Sequence, residues 1–488
     1  MSTSMIARAT ADRGRGTPGS TSGCAPTAAA GHGPAAAAGH GPAASAGHGP
    51  AASAGHGPAA SAGRGPAASA DRPQPRLLPP AAAGPVSLPG HLASHGPLPY
   101  RGRPEALVPE LAAAGLTGRG GAAFPVHRKM AAVLAAGRSP VAVGNGAEGE
   151  PASGKDRYLL RSAPHLVLDG LQLAAEAVGA DVAVLYVQRD HDLPARMADA
   201  AGQRAAAGLD RVRVQVAEAP EAFLSGEESA LVASLSGGPA VPAFKRAGVY
   251  ERGVAGRPTL VQNVETLAQI ALIARYGAPW FRGLGTADEP GSMLCSLHRA
   301  DGRSAITEVP LGTPLRSLLP LGPGVQAVLC GGYHGAWLTT ARASQLTLSN
   351  AALRPAGAFV GAGVLAELPA GRCGLAETAR VMRYLALESA GQCGPCFNGL
   401  PRIAAALAEL AVPRPAPGAL ADLRRWSGLM PGRGACHHPD GSIRFVTSAL
   451  SVFAAETDLH SRGRCTASAG RPFLPLPAAA GPREGDWS

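Results

Sequence analysis

The stretch ESAGQCGPCFNGL, residues 388–400, sets Cys393 and Cys396 in a C-x-x-C frame. Thiols at that spacing suit an iron–sulfur cluster or a zinc ion, or are ordinary cysteines in a turn. A thiol three residues earlier would extend the frame to C-x-x-C-x-x-C, but Ala390 stands there. Upstream, GLTGRGGAAFPVHRKM gathers Gly118, Gly120 and Gly121 around Arg119, with Lys129 in the helix expected to follow. Glycines let a ligand approach backbone N–H groups, a helix N-terminus adds its positive end, and Arg119 and Lys129 add full charges. That is phosphate-cradling chemistry. The spacing is neither a Walker loop nor a G-x-G-x-x-G fingerprint, so a tight turn between helices explains it equally well.

Further polar groups collect in loops. Asn145, Glu148 and Glu150 follow the apolar run VAVG, Glu227 and Glu228 follow Gly226, and Asn263 and Glu265 precede an apolar helical pattern. Acids beside a glycine loop suit ribose hydroxyls or flavin N–H groups better than phosphate. Each group alone would pass as helix capping; together they suggest one ligand pocket.

The elements that must position these groups are readable. VAVG reads as a buried strand whose carboxyl end carries Asn145, Glu148 and Glu150, the place where open α/β sheets bind ligands. A helix over about 164–178 and a strand at VAVLYV complete a βαβ unit. From about Gly283 the pattern changes to short strands and turns. After about Leu375 it becomes helical, interrupted between Pro413 and Pro417.

Composition narrows the class. A chain of 488 residues has room for two or three domains. Residues 1–103 hold eight Arg, no Lys and two acids (Asp12 and Asp71), so six of the ten net positive charges lie there. The nearly balanced remainder argues against a nucleic-acid footprint. Eight cysteines in this length are too few for a disulfide scaffold. The first residues lack an apolar h-region, and Asp169, Glu176 and Asp181 break the most apolar window, so a soluble, cytoplasmic protein is expected. His32, His40, His48, His56 and Arg64 recur every eight residues in an AGHGPAAS-like tract expected to be disordered up to about Pro97.

The order GLTGRGGAAFP, NGAEGEPASGKDR, GEESALVASL, GRPTLVQNVETLA, ESAGQCGPCFNG resembles the NADH-binding flavoprotein of respiratory complex I, the F-type subunit of NADH:quinone oxidoreductase. Related to it are the diaphorase subunits of NAD-linked hydrogenases and formate dehydrogenases. The resemblance covers roughly Tyr100 to Asp458. It implies an α/β chain: a Rossmann-like FMN/NADH domain (98–284), a β-grasp domain (285–350) and a helical iron–sulfur domain (351–458). The repeat tract (1–97) and a flexible tail (459–488) flank them.

The resemblance also implies roles. Gly118, Arg119, Gly120, Gly121 and Lys129 would hold the FMN phosphate region; Asn145, Glu148, Gly226, Glu227, Asn263 and Thr266 would contact the rest of the FMN. Glu150 and Glu228, with Phe124 and Phe244 as stacking surfaces, would face NADH or NADPH. No acid or base is needed: hydride passes between stacked rings, then electrons leave singly. Cys393, Cys396 and Cys436 match three ligands of a [4Fe–4S] cluster, and Ala390 matches the fourth. Three outcomes follow: a cubane completed by water, His437 or His438; a [3Fe–4S] cluster; or a site that is empty or holds Zn²⁺. Cys24, Cys295, Cys330, Cys373 and Cys465 match no ligand position and read as buried or incidental. The expected partner is a ferredoxin-like or other redox protein, in one version within a complex on the inner face of a membrane. The alternatives are a diaphorase without a working cluster and a non-catalytic binding or assembly module. Ala123 stands where the family has Gly, Ala147 where it has Asp, Gln262 where it has Asn, and Val241 where it has Lys.

Overall fold

The computed structural model describes residues 76–79, 84–100, 103–137, 139–244, 247–467 and 472–478. Most of the histidine-containing tract, and Cys24, lie outside them.

Strands Val141–Gly146 (β1), Val182–Gln188 (β2), Val214–Ala219 (β3) and Thr259–Asn263 (β4) form a parallel sheet in the order β3-β2-β1-β4. β1 and β2 read as apolar runs because helices cover parallel sheets on both faces. Two long helices, Pro164–Val178 and Val264–Arg282, pack so closely that a Cβ on Gly170 would collide with the Leu267 carbonyl. Asp169 survives inside the first because its carboxylate is fully paired. It meets Arg204 at 2.7 Å, His91 at 2.8 Å, and Arg275. The His91 hydrogen bond and the two guanidiniums hold its pKa well below the usual carboxylate range against the opposing effect of burial. His91 belongs to the helix Leu88–His95, which occupies part of the range expected to be disordered; the Asp169 pairing supplies what that Gly/Pro-rich segment lacks in apolar surface.

The second sheet contains Ser292–His298 (β5), Ser304–Pro310 (β6), Val325–Cys330 (β7), Ala336–Thr339 (β8) and Val364–Pro369 (β9), in the order β6-β5-β9-β7-β8. β5 and β9 run parallel and the other pairs antiparallel, with a short helix Leu315–Leu318 between β6 and β7. This is the β-grasp arrangement. Its central strand β9 lies beyond residue 350, so the sheet extends further than expected. β9 is a short run broken by the buried acid Glu367, which the sequence does not separate from a helix start.

Helices Gly374–Leu387, Leu400–Leu410, Ala419–Leu429, His438–Val452 and Ala454–Ser461 follow. A π-helical turn, Pro395–Gly399, opens the second of these. The tail is partly docked rather than wholly flexible. Leu474 is buried, Glu377 accepts hydrogen bonds from the amides of Phe473 (2.9 Å) and Leu474 (3.1 Å), and the Tyr333 hydroxyl donates to the Pro475 carbonyl. Among the described residues no helix is long and apolar enough to cross a membrane.

Candidate functional site

β1 lies between β2 and β4, so the chain departs to one side of it and returns on the other. Crevices at such a switch point are where open parallel sheets bind ligands. Asn145 and Asn263 sit opposite each other in register at the carboxyl ends of β1 and β4. Asn263 caps the helix Val264–Arg282 by accepting from the Glu265 amide (3.0 Å), and its Nδ2 donates to Asp156 (2.7 Å). Beneath them Lys155 Nζ lies 2.6 Å from Asp156 and 3.0 Å from Glu265, all three buried. Glu265 also accepts from the Leu294 amide (2.8 Å), linking this floor to β5. The two carboxylates raise the Lys155 pKa although burial alone would lower it.

The glycine loop rests on this floor. The Gly118 amide donates to the Phe124 carbonyl (2.9 Å), closing the loop, and the Arg119 amide donates to the Thr266 hydroxyl (2.9 Å). A Cβ on Gly120 would press on Asn263 at 3.3 Å. Arg119 does not offer its charge to a phosphate. Its side chain turns inward, 4% exposed, and donates to the carbonyls of Thr117 (3.1 Å), Ser292 (3.2 Å) and Pro290 (3.4 Å). Lys129 pairs with Glu228 at 2.7 Å on a half-exposed surface. Ala123, at the family's glycine position, has φ 53°.

The carboxylates divide by task. Glu148 accepts from the Ser153 hydroxyl (2.5 Å) and the amides of Asp156 (3.1 Å) and Arg157 (3.2 Å), so it caps the helix Lys155–Ser162. Burial, then the neighbouring Asp156, raises its pKa. Glu227 caps the helix Glu228–Leu235, accepting from the amides of Ser229 (2.8 Å) and Ala230 (3.1 Å). Gly226 leaves no room for a side chain, since a Cβ would lie 2.6 Å from the Ala147 carbonyl; its own carbonyl accepts from Asn145 Nδ2 (2.9 Å). Glu150 accepts from the amides of Tyr333 (2.7 Å) and Ala152 (3.2 Å). Burial nonetheless pushes its pKa up to about 7. Gly332, at φ 87°, leaves room for it, because a Cβ there would sit 2.6 Å from the carboxylate.

A cleft of about 530 Å³ opens above the loop, lined by Gly120, Gly121, Glu150 and Glu227 on one side. That volume falls within the usual range for a cofactor site. Cys436 and His438 line it from the helical region, and His334, Arg354, Phe359 and Arg444 from the β-grasp region and the helix after Cys436. Phe223 and Phe359 are its aromatic lining residues. Phe124 (53% exposed) and Phe244 (77%) do not line it. Sequence reasoning does not single out Lys155, Asp156, Phe223, His334 or Phe359. The GKDR segment is the available signal for the first two.

The glycine-walled cradle, with amide and carboxylate side chains at its rim, fits a flavin nucleotide. The thiol site is a partial fit. Cys396, buried on the π-helical turn, shares a hydrogen bond with Cys393 and feels Cys436; burial first, then these neighbours, raises its pKa. The three thiols thus lie near one another, though among the described residues they are not the side chains whose ligand atoms converge within 4.8 Å, and Ala390 leaves the set one donor short. His438 is not the missing ligand: Nδ1 bonds His334 (2.9 Å) and Nε2 bonds the Leu385 carbonyl (2.9 Å). His437 is fully exposed, 3.8 Å from Asp440.

Comparison with known proteins agrees with this geometry. Residues 111–272 match the Nuo51 FMN-binding domain, and residues 376–460 match the NADH-ubiquinone oxidoreductase-F iron-sulfur binding region. The chain is 30% identical over 380 residues to the second F-type subunit of NADH-quinone oxidoreductase in Rhizobium meliloti (strain 1021), covering 74% of this chain and 90% of that protein. The F-type subunit of the Streptomyces coelicolor oxidoreductase is 29% identical over 398 residues, 77% of this chain and 86% of its own. An NAD+-reducing [NiFe]-hydrogenase in the H2-reduced state superposes with a TM-score of 0.67 at 30% identity, over 73% of this chain and 62% of that one. The chain therefore spans less than two thirds of that hydrogenase chain. With a flavin-fitting cradle at the sheet's switch point and Cys436 lining the same cleft, the chain belongs to the family of F-type subunits of NADH-quinone oxidoreductase.

Proposed function

We propose that this chain oxidises NADH through FMN held in the cleft and passes electrons toward Cys393, Cys396 and Cys436. One observation carries the reading: a single cleft is lined by the glycine loop, Glu150 and Cys436. Bound FMN would accept a hydride equivalent and release electrons one at a time.

The chain's own residues position and neutralise. The Gly120–Gly121 backbone allows close approach, Asn145 and Asn263 mark the floor, and the Lys155–Asp156–Glu265 cluster holds that floor rigid. Glu150, fixed by the Tyr333 amide, faces the nicotinamide nucleotide with a pKa that burial raises to about 7. Arg354 and Arg444, flanking the Phe359 ring at 5.8 and 4.5 Å, bring positive charge to the nucleotide phosphates where Val241 replaces the family's Lys. A thiolate set one short would hold iron with an exchangeable fourth ligand. The acceptor is a redox partner within a multi-subunit assembly.

Ala390 favours a second reading, a diaphorase without a working relay. Anaerobic purification, a visible spectrum, iron analysis and NADH addition separate the two. Flavin bands bleached by NADH with iron present support the relay, bleaching without iron supports the diaphorase, and absence of flavin after FMN supplementation overturns both.

A further inference from the structure

Away from the cleft, where the tail meets the helical region, Cys373, Glu456, His460 and Cys465 bring their ligand atoms within 4.8 Å of one another. From these positions we infer a second metal site, taking one tetrahedral divalent cation, zinc by its chemistry, that fastens the tail to the helix Gly374–Leu387. The donors are two thiols, one imidazole nitrogen and one carboxylate oxygen. Zinc accepts that mixture in four-coordinate sites, whereas magnesium and calcium call for all-oxygen sets.

The supporting contacts are those of a built site. His460 is fully buried, and its Nδ1 donates to the Leu410 carbonyl (2.9 Å). That bond leaves the Nε2 lone pair facing inward, 3.6 Å from Cys373 Sγ and 3.2 Å from Glu456 Oε1. A carbonyl fixing the far nitrogen is how metal-bound histidines are usually oriented. Glu456 and His460 are i,i+4 on one helix and so share a face. Glu456 is fixed by Thr466, whose amide donates to Oε1 (2.9 Å), the oxygen facing His460, and whose hydroxyl donates to Oε2. Cys373 caps the helix Gly374–Leu387 and accepts from the Ala376 amide (3.4 Å); Cys465 accepts from the Ala467 amide (3.4 Å). Cys373, Glu456 and His460 are buried and Cys465 is exposed, so an ion has a path of entry. Binding would convert both thiols to thiolates and release two protons.

The test uses the full chain, purified anaerobically with a thiol reductant and analysed for zinc, iron and flavin. About one zinc per chain is expected, with thiolate-to-metal bands after Co²⁺ replacement. Cys465→Ser, exposed and so safe for folding, and His460→Gln should each lower zinc about tenfold or more while flavin and iron stay unchanged. Cys393→Ser should leave zinc in place. Chelation should speed tryptic cleavage near Arg464 in the wild type but not in Cys465→Ser. Three results would overturn the site: wild-type protein without zinc, zinc lost with Cys393 rather than with Cys465, or a Cys373–Cys465 disulfide in the isolated protein.

Discussion

Replacing Lys155 by Met tests whether the cluster beneath Asn263 holds the site together. Lys155 Nζ lies 2.6 Å from Asp156 and 3.0 Å from Glu265, with all three side chains shielded from water. At an effective dielectric near 20, each attraction is about 6 kcal/mol, most of it cancelled by desolvation. Met fills a similar volume but leaves two buried carboxylates facing each other. Removing one partner of such a set costs about 3–5 kcal/mol.

The cost should depend on pH with a definite sign. Burial raises the Glu265 pKa and the Lys155 ammonium opposes that rise, so in the variant Glu265 has a folded pKa raised still further above its unfolded value. Its contribution is therefore intact below the unfolded pKa and lost as pH rises, and the gap to wild type should widen by up to about 1.4 kcal/mol per pH unit between pH 5 and 7.5. Urea denaturation of both proteins across that window measures it. Flavin retention should fall as well, because Asn263 Nδ2 is oriented by Asp156. A gap below about 1 kcal/mol at every pH would refute the reasoning, since a buried pair with one partner removed cannot cost so little.

Ala123→Gly should stabilise the protein by about 0.5–1 kcal/mol: it relieves about 1–2 kcal/mol of left-handed strain at φ 53° and returns about 0.4–1 kcal/mol of unfolded-chain entropy. Thermal unfolding reads this, and an unchanged or lower Tm counts against it. The raised pKa of Glu150, near 7, makes a contribution that is full below the ordinary Glu range and lost as pH climbs through 7, so Glu150→Gln should flatten stability between pH 5 and 7.5. Stability profiles of equal slope would contradict that. Ala390→Cys should raise iron per chain; unchanged occupancy on reconstitution would mean that the site lacks more than a ligand.

Much of the fold is legible in the sequence because it rests on local pattern. The run ending in VAVLYV reads as a buried helix and strand, and the structure has Pro164–Val178 and β2 there. Local reading fails where distant segments meet. Arg119 beside three glycines looks like a phosphate ligand. Nothing local reveals that Thr117, Pro290 and Ser292 present carbonyls to its guanidinium. Phe124 is the nearer aromatic in sequence, yet the cleft is lined by Phe223, from the loop between β3 and the helix Glu228–Leu235, and by Phe359, from the β-grasp region. Cys373 and Cys465 look incidental for the same reason, being 92 positions apart in the chain but neighbours in space.

Glu150 shows what that folding-over accomplishes. Its motif belongs to the first sheet, but its carboxylate is seated by the Tyr333 amide and given room by Gly332, both from the loop after β7. The same loop supplies His334, which bonds His438, two residues beyond Cys436. One short chain of contacts thus runs from the Glu150 carboxylate through the loop after β7 to the start of the helix that follows Cys436. Any shift of the β7 loop would move the Glu150 seat and the His334–His438 contact together. The missing donor at Ala390 lies outside this chain, in the loop before Cys393. Substitution there should therefore leave the Glu150 seat unchanged.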